Sequence, residues 1–525
     1  MKNKNWINSL LLMVAGIWGF TAFAQITPNG LQQFIATNNN FIHAEVKYVT
    51  EIKEFYSRLN YKIVWLQNDS PANRVIFFNT LKMSADIGLR ESDYQFNFIE
   101  SFRKGTVRLQ NKNDSLEAEI RIADAAIHFY NDIAFGNTKP VLGYNGLNYV
   151  PGCSNIPDLL AASVSENSLQ LFIKKIAPQL PEITAISNKI KWFNAVITKP
   201  DFKEVIITSN KVNENNKPLM LKLYQLGIID SIDTILPDST LKQKVKEVQR
   251  QFNLLSDATL RSTSLQELNV PLSIRVQQLN IAVNYYRWLY CLIQNQPVIV
   301  VNIPATILKV YRNSEVILQM RMIVGKRSTP TPTLTSTVNE VILYPYWHVP
   351  YSIATKELLP ILKRNPGYIN EGNYQVLNKA GNIVDPYAVN WHALSKAYFP
   401  YLIRQSTGCD NALGLLKLNF YNPFGVYLHD TPVKGSFMLN KRYFSHGCMR
   451  MDKPMELGHL VLKNNAIAID TLEQKGCLRN QSPITIAADE RMPVIVWYNP
   501  AGVDSTGMVI FYEDVYGKFS WMKSK

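Results

Sequence analysis

The chain has 525 residues, 46% of them hydrophobic and 18% charged, with a formal net charge of +14. That balance excludes wholesale disorder and a polytopic membrane protein, and leaves room for about three domains. Five cysteines in a chain this long exclude a disulfide-stapled mini-scaffold, and their odd number leaves one thiol over.

Residues 1–24 read as a signal peptide. Lys2 and Lys4 precede an apolar run from Leu10 to Phe20, and Ala22-Phe23-Ala24 is a small-x-small cleavage pattern before Gln25. An uncleaved N-terminal anchor is the alternative reading. Cleavage removes two lysines and no acid, which takes the charge from +14 to +12. No later stretch of 18 or more apolar residues is present, so the expectation is a chain with no transmembrane span after cleavage, in the periplasm or cell envelope. A basic exported protein suits an anionic surface or polymer. Nucleic acid is the rival partner, but Lys and Arg are dispersed and no zinc-finger or RNA-recognition signature appears, so the reading is no nucleic acid.

Residues 25 to about 215 read as mainly helical. Val46, Val49, Ile52 and Phe55 make one face of a helix within Ala44–Leu59. Leu116, Ile120, Ala123, Ile127 and Tyr130 repeat the pattern over Ser115–Asn131, with Ser115 as a possible cap. His43 and His128 read as structural. A smaller helical unit follows over 216–290, with helices predicted at Leu241–Phe252 and Thr259–Leu268.

From about residue 297 the period changes. Val298–Val301, Thr306–Tyr311 and Val316–Ile323 are β-branched and partly alternating, with Arg312-Asn313-Ser314 as a turn. Further strands are predicted at Val338–Tyr344, Gly414–Phe420, Gly425–His429, Val494–Tyr498 and Met508–Tyr512. A helix is predicted at 352–364, ended by Asn365-Pro366-Gly367, and another after Asp452 as N-cap with Pro454 in its first turn. The fold class is α+β: a helical first half and a β-rich second half.

One constellation carries chemistry: His429-Asp430-Thr431-Pro432, then Ser445-His446-Gly447-Cys448-Met449-Arg450. An unperturbed thiol is mostly protonated at neutral pH, and an imidazole can take its proton. His429 ends a predicted strand 19 residues before Cys448, enough for a returning loop. Gly447 permits close approach of the backbone, and the amides of Gly447 and Cys448 could face a developing oxyanion. Arg450 offers a fork for a carboxylate. Two bland readings stand beside this one: a buried cysteine near an unrelated histidine, or a zinc site of His429, His446 and Cys448, whose spacing fits no standard finger.

The six-residue cysteine motif with its upstream histidine resembles the signature of L,D-transpeptidases, the YkuD-type cell-wall enzymes. Pro345-Tyr346-Trp347-His348-Val349-Pro350, Lys356-Glu357, Val384-Asp385-Pro386, Arg404-Gln405 and Asn411-Ala412-Leu413-Gly414 are similar to the large periplasmic multi-domain subgroup. Tyr61–Trp65, Gly88-Leu89 and Asp93-Tyr94 resemble its scaffold region, and residues 217–270 its peptidoglycan-binding-like helical module. Two places depart from the pattern. The module has Val248-Gln249 and Leu255-Ser256-Asp257-Ala258 in place of the usual aromatic and Asp-Gly, which puts glycan binding in doubt. Ser406-Thr407-Gly408 lacks a proline before its glycine.

The resemblance implies a domain order of 1–24 signal peptide, 25–215 helical scaffold, 216–290 helical module, 296–470 catalytic domain with a helical lid insertion, and 471–525 C-terminal extension. It implies Cys448 as nucleophile and His429 as base, oriented by a main-chain carbonyl; Asp430, alternating to the other face, is not the third member. Gly447, Tyr427, His446 and Ser445 would shape the pocket, with His446 beside the thiol and core packing an equal reading for Tyr427. Arg450, Trp347, His348 and Asn411 would contact substrate, with a structural role as likely for His348. No metal or cofactor is implied. The partners are donor and acceptor peptidoglycan stems, and carbapenem-type β-lactams as acylating agents. The reaction is cleavage after the third stem residue with release of D-alanine, then transfer to an acceptor amine as a 3-3 cross-link. Hydrolysis of the same bond, or a non-catalytic wall-binding scaffold, are the rivals. Pairing among Cys153, Cys291, Cys409 and Cys477 is open, as is a redox bridge from Cys409 to Cys448.

Overall fold

The computed structural model describes residues 26–37, 46–67, 72–232 and 236–519. The signal-peptide segment and His43 lie outside the described residues. The chain falls into two compact units. One comprises the residues up to Ala134 with Cys153–Ala177, and the other comprises Phe135–Gly152 and everything from Pro178 onward.

The first unit is helical. Its central element is Lys112–Phe135, which carries the predicted stripe and buries Leu116, Ile120, Ala123, Ile127 and Tyr130. Ser115 is not its cap: it lies inside the helix, and its hydroxyl donates to the Asn111 carbonyl. The helix also buries carboxylates, and each has an assigned partner. Glu119 accepts from the amides of Val64 (2.7 Å), Trp65 (3.1 Å) and Leu66 (2.8 Å) and from the Tyr56 hydroxyl (2.9 Å). Asp124 accepts from the amides of Lys47 and Tyr48, both at 2.9 Å. Burial raises the Glu119 carboxyl and these bonds pull it back. His128 is structural: it packs on Tyr48 and Tyr94, lies 3.4 Å from Asp132, and is pushed down to about 4 chiefly by burial.

In the second unit helix Pro181–Ile197 shares a core with the helices of the small module: Lys217–Gln225, Asp238–Gln251, Ser262–Leu268 and Leu272–Asn295. In that module Gln249 is spent internally. Its amide oxygen accepts from the Ala258 amide (2.8 Å), and its nitrogen donates to the Thr259 carbonyl (3.0 Å). The loop that departs from the family pattern is thus stapled to its own helix.

Seventeen strands complete the unit: β1 Tyr144–Asn145, β2 Val298–Asn302, β3 Ile307–Arg312, β4 Glu315–Gly325, β5 Leu334–Leu343, β6 Trp347–His348, β7 Tyr374–Leu377, β8 Ile383–Val384, β9 Leu402–Gln405, β10 Leu416–Phe420, β11 Leu428–His429, β12 Tyr443–Ser445, β13 Met449–Met451, β14 Ile484–Ala487, β15 Pro493–Trp497, β16 Ala501–Val503 and β17 Val509–Phe511. Asn313 and Ser314, both at positive φ, make the tight turn between β3 and β4.

The main sheet runs β5-β10-β11-β13-β4-β3-β2-β15, and β15 returns to β5. Leu334–Thr337 of β5 pair with β15, while its far half pairs with β10, so the sheet closes on itself. A closed sheet needs an interior filled by alternate residues. Val301, Leu308, Val310, Met322, Val341, Leu416, Leu418, Leu428, Met449 and Val494 supply it. The segment between β5 and β10 forms a subdomain with its own core of Val349, Leu359, Leu362, Ile369, Trp391 and Ile403. The helix predicted at 352–364 is there, as a continuous run from Tyr351 to Leu362 with a π-helical turn at Ala354–Leu358. Besides its helices, this insertion holds a four-stranded sheet in the order β6-β9-β7-β8. Helix Pro454–Val461 has Pro454 in its first turn as predicted. Its N-cap is Lys453 rather than Asp452, with no side-chain capping bond.

Removing the Glu119 carboxylate leaves three buried amides without an acceptor, each costing roughly 1 kcal/mol or more. Glu119→Ala is expected to lower the stability of this unit by about 3 kcal/mol, and Glu119→Gln by about half as much. Urea unfolding checks this; an unchanged midpoint for Glu119→Ala refutes it.

Candidate active site

Pairing register decides which side chains meet. Lys417 of β10 lies opposite His429 of β11, and His429 lies beside Arg450 of β13. Directly paired residues share a face of a sheet, and alternate residues along one strand do too. Because Leu416, Leu418, Leu428 and Met449 fill the interior, Lys417, Tyr427, His429, Cys448 and Arg450 share the outer face. Met449 donates its amide to the Tyr427 carbonyl at 3.1 Å, which sets Tyr427 next to Cys448.

His429 is buried, and its Nδ1 lies 2.5 Å from the Asp430 carbonyl oxygen. That bond assigns the Nδ1–H tautomer and leaves Nε2 as the basic nitrogen. Asp430 itself faces away: its carboxylate accepts from the amides of Leu415 and Thr431 and from Lys434 Nζ. His429 is pushed down to about 3, first by burial and then by Arg450 and Lys417. Burial pushes the Cys448 thiol up, while hydrogen bonds from Tyr427, then Lys417 and Arg450, pull it back. The tyrosine hydroxyl is raised by burial and by the charge of Cys448, to which it hydrogen-bonds. Its ring packs edge-on to His429 at 5.6 Å. The site thus holds an uncharged imidazole and a thiol whose anion meets two cations. Such an arrangement can take a thiol proton onto Nε2 and carry acyl transfer on sulfur.

The loop before Cys448 is held by its own hydroxyl. Ser445 Oγ donates to the Cys448 carbonyl (2.6 Å) and accepts from the Gly447 amide (3.1 Å). Gly447 sits at φ +118, a conformation closed to most side chains. Its amide is therefore occupied and does not face a substrate oxygen, contrary to the expectation from sequence. The Cys448 amide makes no hydrogen bond to a described residue. Thr331 Oγ1 donates to the Gly447 carbonyl (2.8 Å), and Thr329 Oγ1 to the Ser445 carbonyl (3.1 Å).

Three further expectations are sharpened or changed. His446 is exposed and bonded to the insertion, its Nε2 lying 2.8 Å from Glu357 Oε1. Asn411 is not a substrate contact. It is fully buried, donating to the carbonyls of Pro345 and Ser406 and accepting from the Leu413 amide. The zinc trio of His429, His446 and Cys448 does not converge; among the described residues, the set at ligand spacing is His459, Asp470 and Glu473. Trp347 of β6 is half-buried and hydrogen-bonds to the Tyr427 side chain. His348 pairs with Arg404 across β6 and β9, and partial desolvation, then Arg404 and Lys417, lower its imidazole. Cys409 pairs with Cys477, and Cys448 is free, so no bridge joins Cys409 to Cys448. Lys417 was not singled out by sequence; the alternation Leu416-Lys417-Leu418 marks it as outward-facing but cannot name its neighbours.

Comparison with known proteins bears on this geometry. Residues 296–469 match the L,D-transpeptidase catalytic domain named YkuD, and residues 50–188 match a Scaffold domain. The chain therefore carries a YkuD-type L,D-transpeptidase catalytic domain behind a Scaffold domain. A Haemophilus influenzae protein, named provisionally as an L,D-transpeptidase, is 36% identical over 219 residues, covering 42% of this chain and 44% of the relative. The chain thus spans less than half of that relative's length. Among solved structures, an L,D-transpeptidase from Mycobacterium smegmatis is 17% identical over 38% of this chain and 58% of that one, with a TM-score of 0.18. An Enterococcus faecium L,D-transpeptidase with a cysteine-to-serine substitution is 10% identical over 50% and 91%, with a TM-score of 0.17. Overlays at these scores add nothing to the argument.

The depressed imidazole has a consequence for stability. Between the ordinary value of 6.5 and about 3, the unfolded chain binds a proton that folded His429 does not. Stability is therefore lost as pH falls through that window, by up to roughly 1.4 kcal/mol per pH unit. His429→Gln removes this dependence. Urea unfolding of both proteins at neutral and mildly acidic pH should show the wild type losing more; parallel losses refute the assignment.

Proposed function

We propose that the protein is a peptidoglycan L,D-transpeptidase of the cell envelope, exported by its N-terminal segment. The observation that carries this reading is a free thiol, Cys448, on one sheet face with an uncharged imidazole whose Nδ1 is tied to the Asp430 carbonyl. It stands within a YkuD-type catalytic domain.

The reaction follows from those groups. The Cys448 thiol gives its proton to His429 Nε2, and sulfur attacks the carbonyl carbon of the third residue of a donor stem. The oxygen that gains charge meets the Cys448 amide and the Tyr427 hydroxyl, donors worth about 3 kcal/mol each in such a position. Collapse breaks the bond to the terminal D-alanine, whose amine leaves with the proton held on His429. A side-chain amine of an acceptor stem then attacks the thioester, passes a proton to His429 and frees the thiol, which leaves a 3-3 cross-link. Arg450 and Lys417 give the site a positive rim that suits stem carboxylates. Trp347 of the insertion bonds to the Tyr427 side chain at the edge of the site. The same sulfur would open the lactam of a carbapenem, its ring nitrogen taking the proton from His429, and keep the drug's carbonyl as a thioester.

Incubating the protein with a carbapenem should add one drug mass to the wild type and none to Cys448→Ala by intact mass spectrometry. An adduct that persists in Cys448→Ala removes this thiol from the reaction. With purified tetrapeptide muropeptides, the expected products are dimers joined through third residues. Tripeptides alone would mean that water is the acceptor, and no product at all would leave a wall-binding scaffold.

A further inference from the structure

We propose that Lys417 is the standing counter-cation of the Cys448 thiolate, a positioning residue that acts on the nucleophile through charge. The inference rests on the acyl-transfer reading of Cys448 and deepens it.

Geometry carries the argument. Lys417 lies directly opposite His429 on the outer face of β10. Its ammonium sits 4.0 Å from the centre of the Tyr427 ring, and that ring's hydroxyl hydrogen-bonds to Cys448. The side chain is half-buried. No carboxylate lies within ion-pair distance of it among the described residues. Glu340 on β5 also attracts it, but that carboxylate is engaged by Asn419 Nδ2 at 2.6 Å. A partly desolvated ammonium without an acid is costly unless an anion forms beside it. Burial pushes the Lys417 ammonium down, and the anion that can form beside it, the sulfur of Cys448, pulls it back.

The other charged and titratable groups facing this point sharpen the assignment. His429 comes from β11 and Tyr427 from the residue just before it, Arg450 from β13, Glu340 from β5, His348 from β6 and Arg404 from β9. Protonated His429 would stand beside Arg450 and Lys417, and both disfavour it. A resting thiolate–imidazolium pair is therefore opposed, and a fixed cation must supply the attraction that an imidazolium supplies elsewhere. No bond to Lys417 forms or breaks: the thiol proton goes to His429 Nε2, and Lys417 lowers the cost of the charge left on sulfur.

A merely structural lysine, stacked on Tyr427, would move stability but not the titration of the thiol. The test is alkylation of the full chain by iodoacetamide from about pH 5 to about pH 10, which reads the thiolate directly. Cys409 and Cys477 are joined in a disulfide, Cys153 and Cys291 are also disulfide-bonded, and Cys448→Ala gives the background. Lys417→Met should move the midpoint upward by about one pH unit or more, with an approximately tenfold slower rate near neutrality. Lys417→Arg should return it close to the wild-type value. A Lys417→Met midpoint equal to the wild type overturns the proposal, as does a Lys417→Arg midpoint as alkaline as that of Lys417→Met. Should Lys417→Met fail to fold, Lys417→Gln is read in the same way. The assay needs no stem peptide, so its outcome is independent of whether muropeptides are cross-linked.

Discussion

The whole site depends on the register of one very short strand. Leu428–His429 is held antiparallel to β10 and parallel to β13, and those two pairings place Lys417, His429 and Arg450 in a row across the sheet. A slip of one residue in this strand would turn Leu428 outward and drive an imidazole into the barrel. Burial of Leu416, Leu418, Leu428 and Met449 thus fixes the site before any polar contact is made. The hydrophobic interior and the reactive face are two consequences of a single alternation.

Burial then sets the chemistry. It works against charge on both partners, raising the thiol and lowering the imidazole, so the resting pair is neutral. Charge appears only as the proton moves, and the surroundings are arranged for the negative half of that change. Tyr427 donates toward sulfur, and the charges of Lys417 and Arg450 favour its anion. Arg450 Nε is itself buried without a hydrogen-bond partner among the described residues. Such a set costs stability while the site is neutral and returns it when an anion forms, which is how a pre-organised site lowers a barrier.

Much of this was readable in the sequence, and the limits have physical reasons. The period-2 runs around Val298, Thr306, Val338 and Val494 became strands because alternation is a local property. The turn of Asp430 away from His429 also follows from one strand's alternation, whereas the carbonyl that sets the tautomer was implied by the family resemblance. What local pattern cannot give is the partner across a sheet. Lys417 is 31 residues from Cys448 and meets it only through β11. Glu357 takes His446 from a subdomain 89 residues away, so the flanking histidine, two residues before the thiol in sequence, is bonded to the insertion. Ser445 and Asn411 look reactive on paper because their side chains are polar. Their hydrogen bonds to main chain show that they are spent on holding loops.

The catalytic segment as matched ends at residue 469, yet the physical unit does not. β15, which follows that point, pairs with both β2 and β5 and closes the barrel. Further on, the Tyr516 hydroxyl donates to the Gly325 carbonyl (2.5 Å) and accepts from the Thr331 amide (3.2 Å). Gly325 has no room for a side chain: a Cβ there would lie 2.2 Å from the Thr329 carbonyl oxygen. The turn from Gly325 to Thr331 is therefore pressed tightly against itself, and Thr331 passes that order to the Gly447 carbonyl. A hydroxyl near the C-terminus is in this way coupled, through one threonine, to the backbone that presents Cys448. The extension belongs to the catalytic domain by the test that matters physically, since the nucleophile's loop depends on it for two of its supports, a closed sheet beneath and a pinned turn alongside.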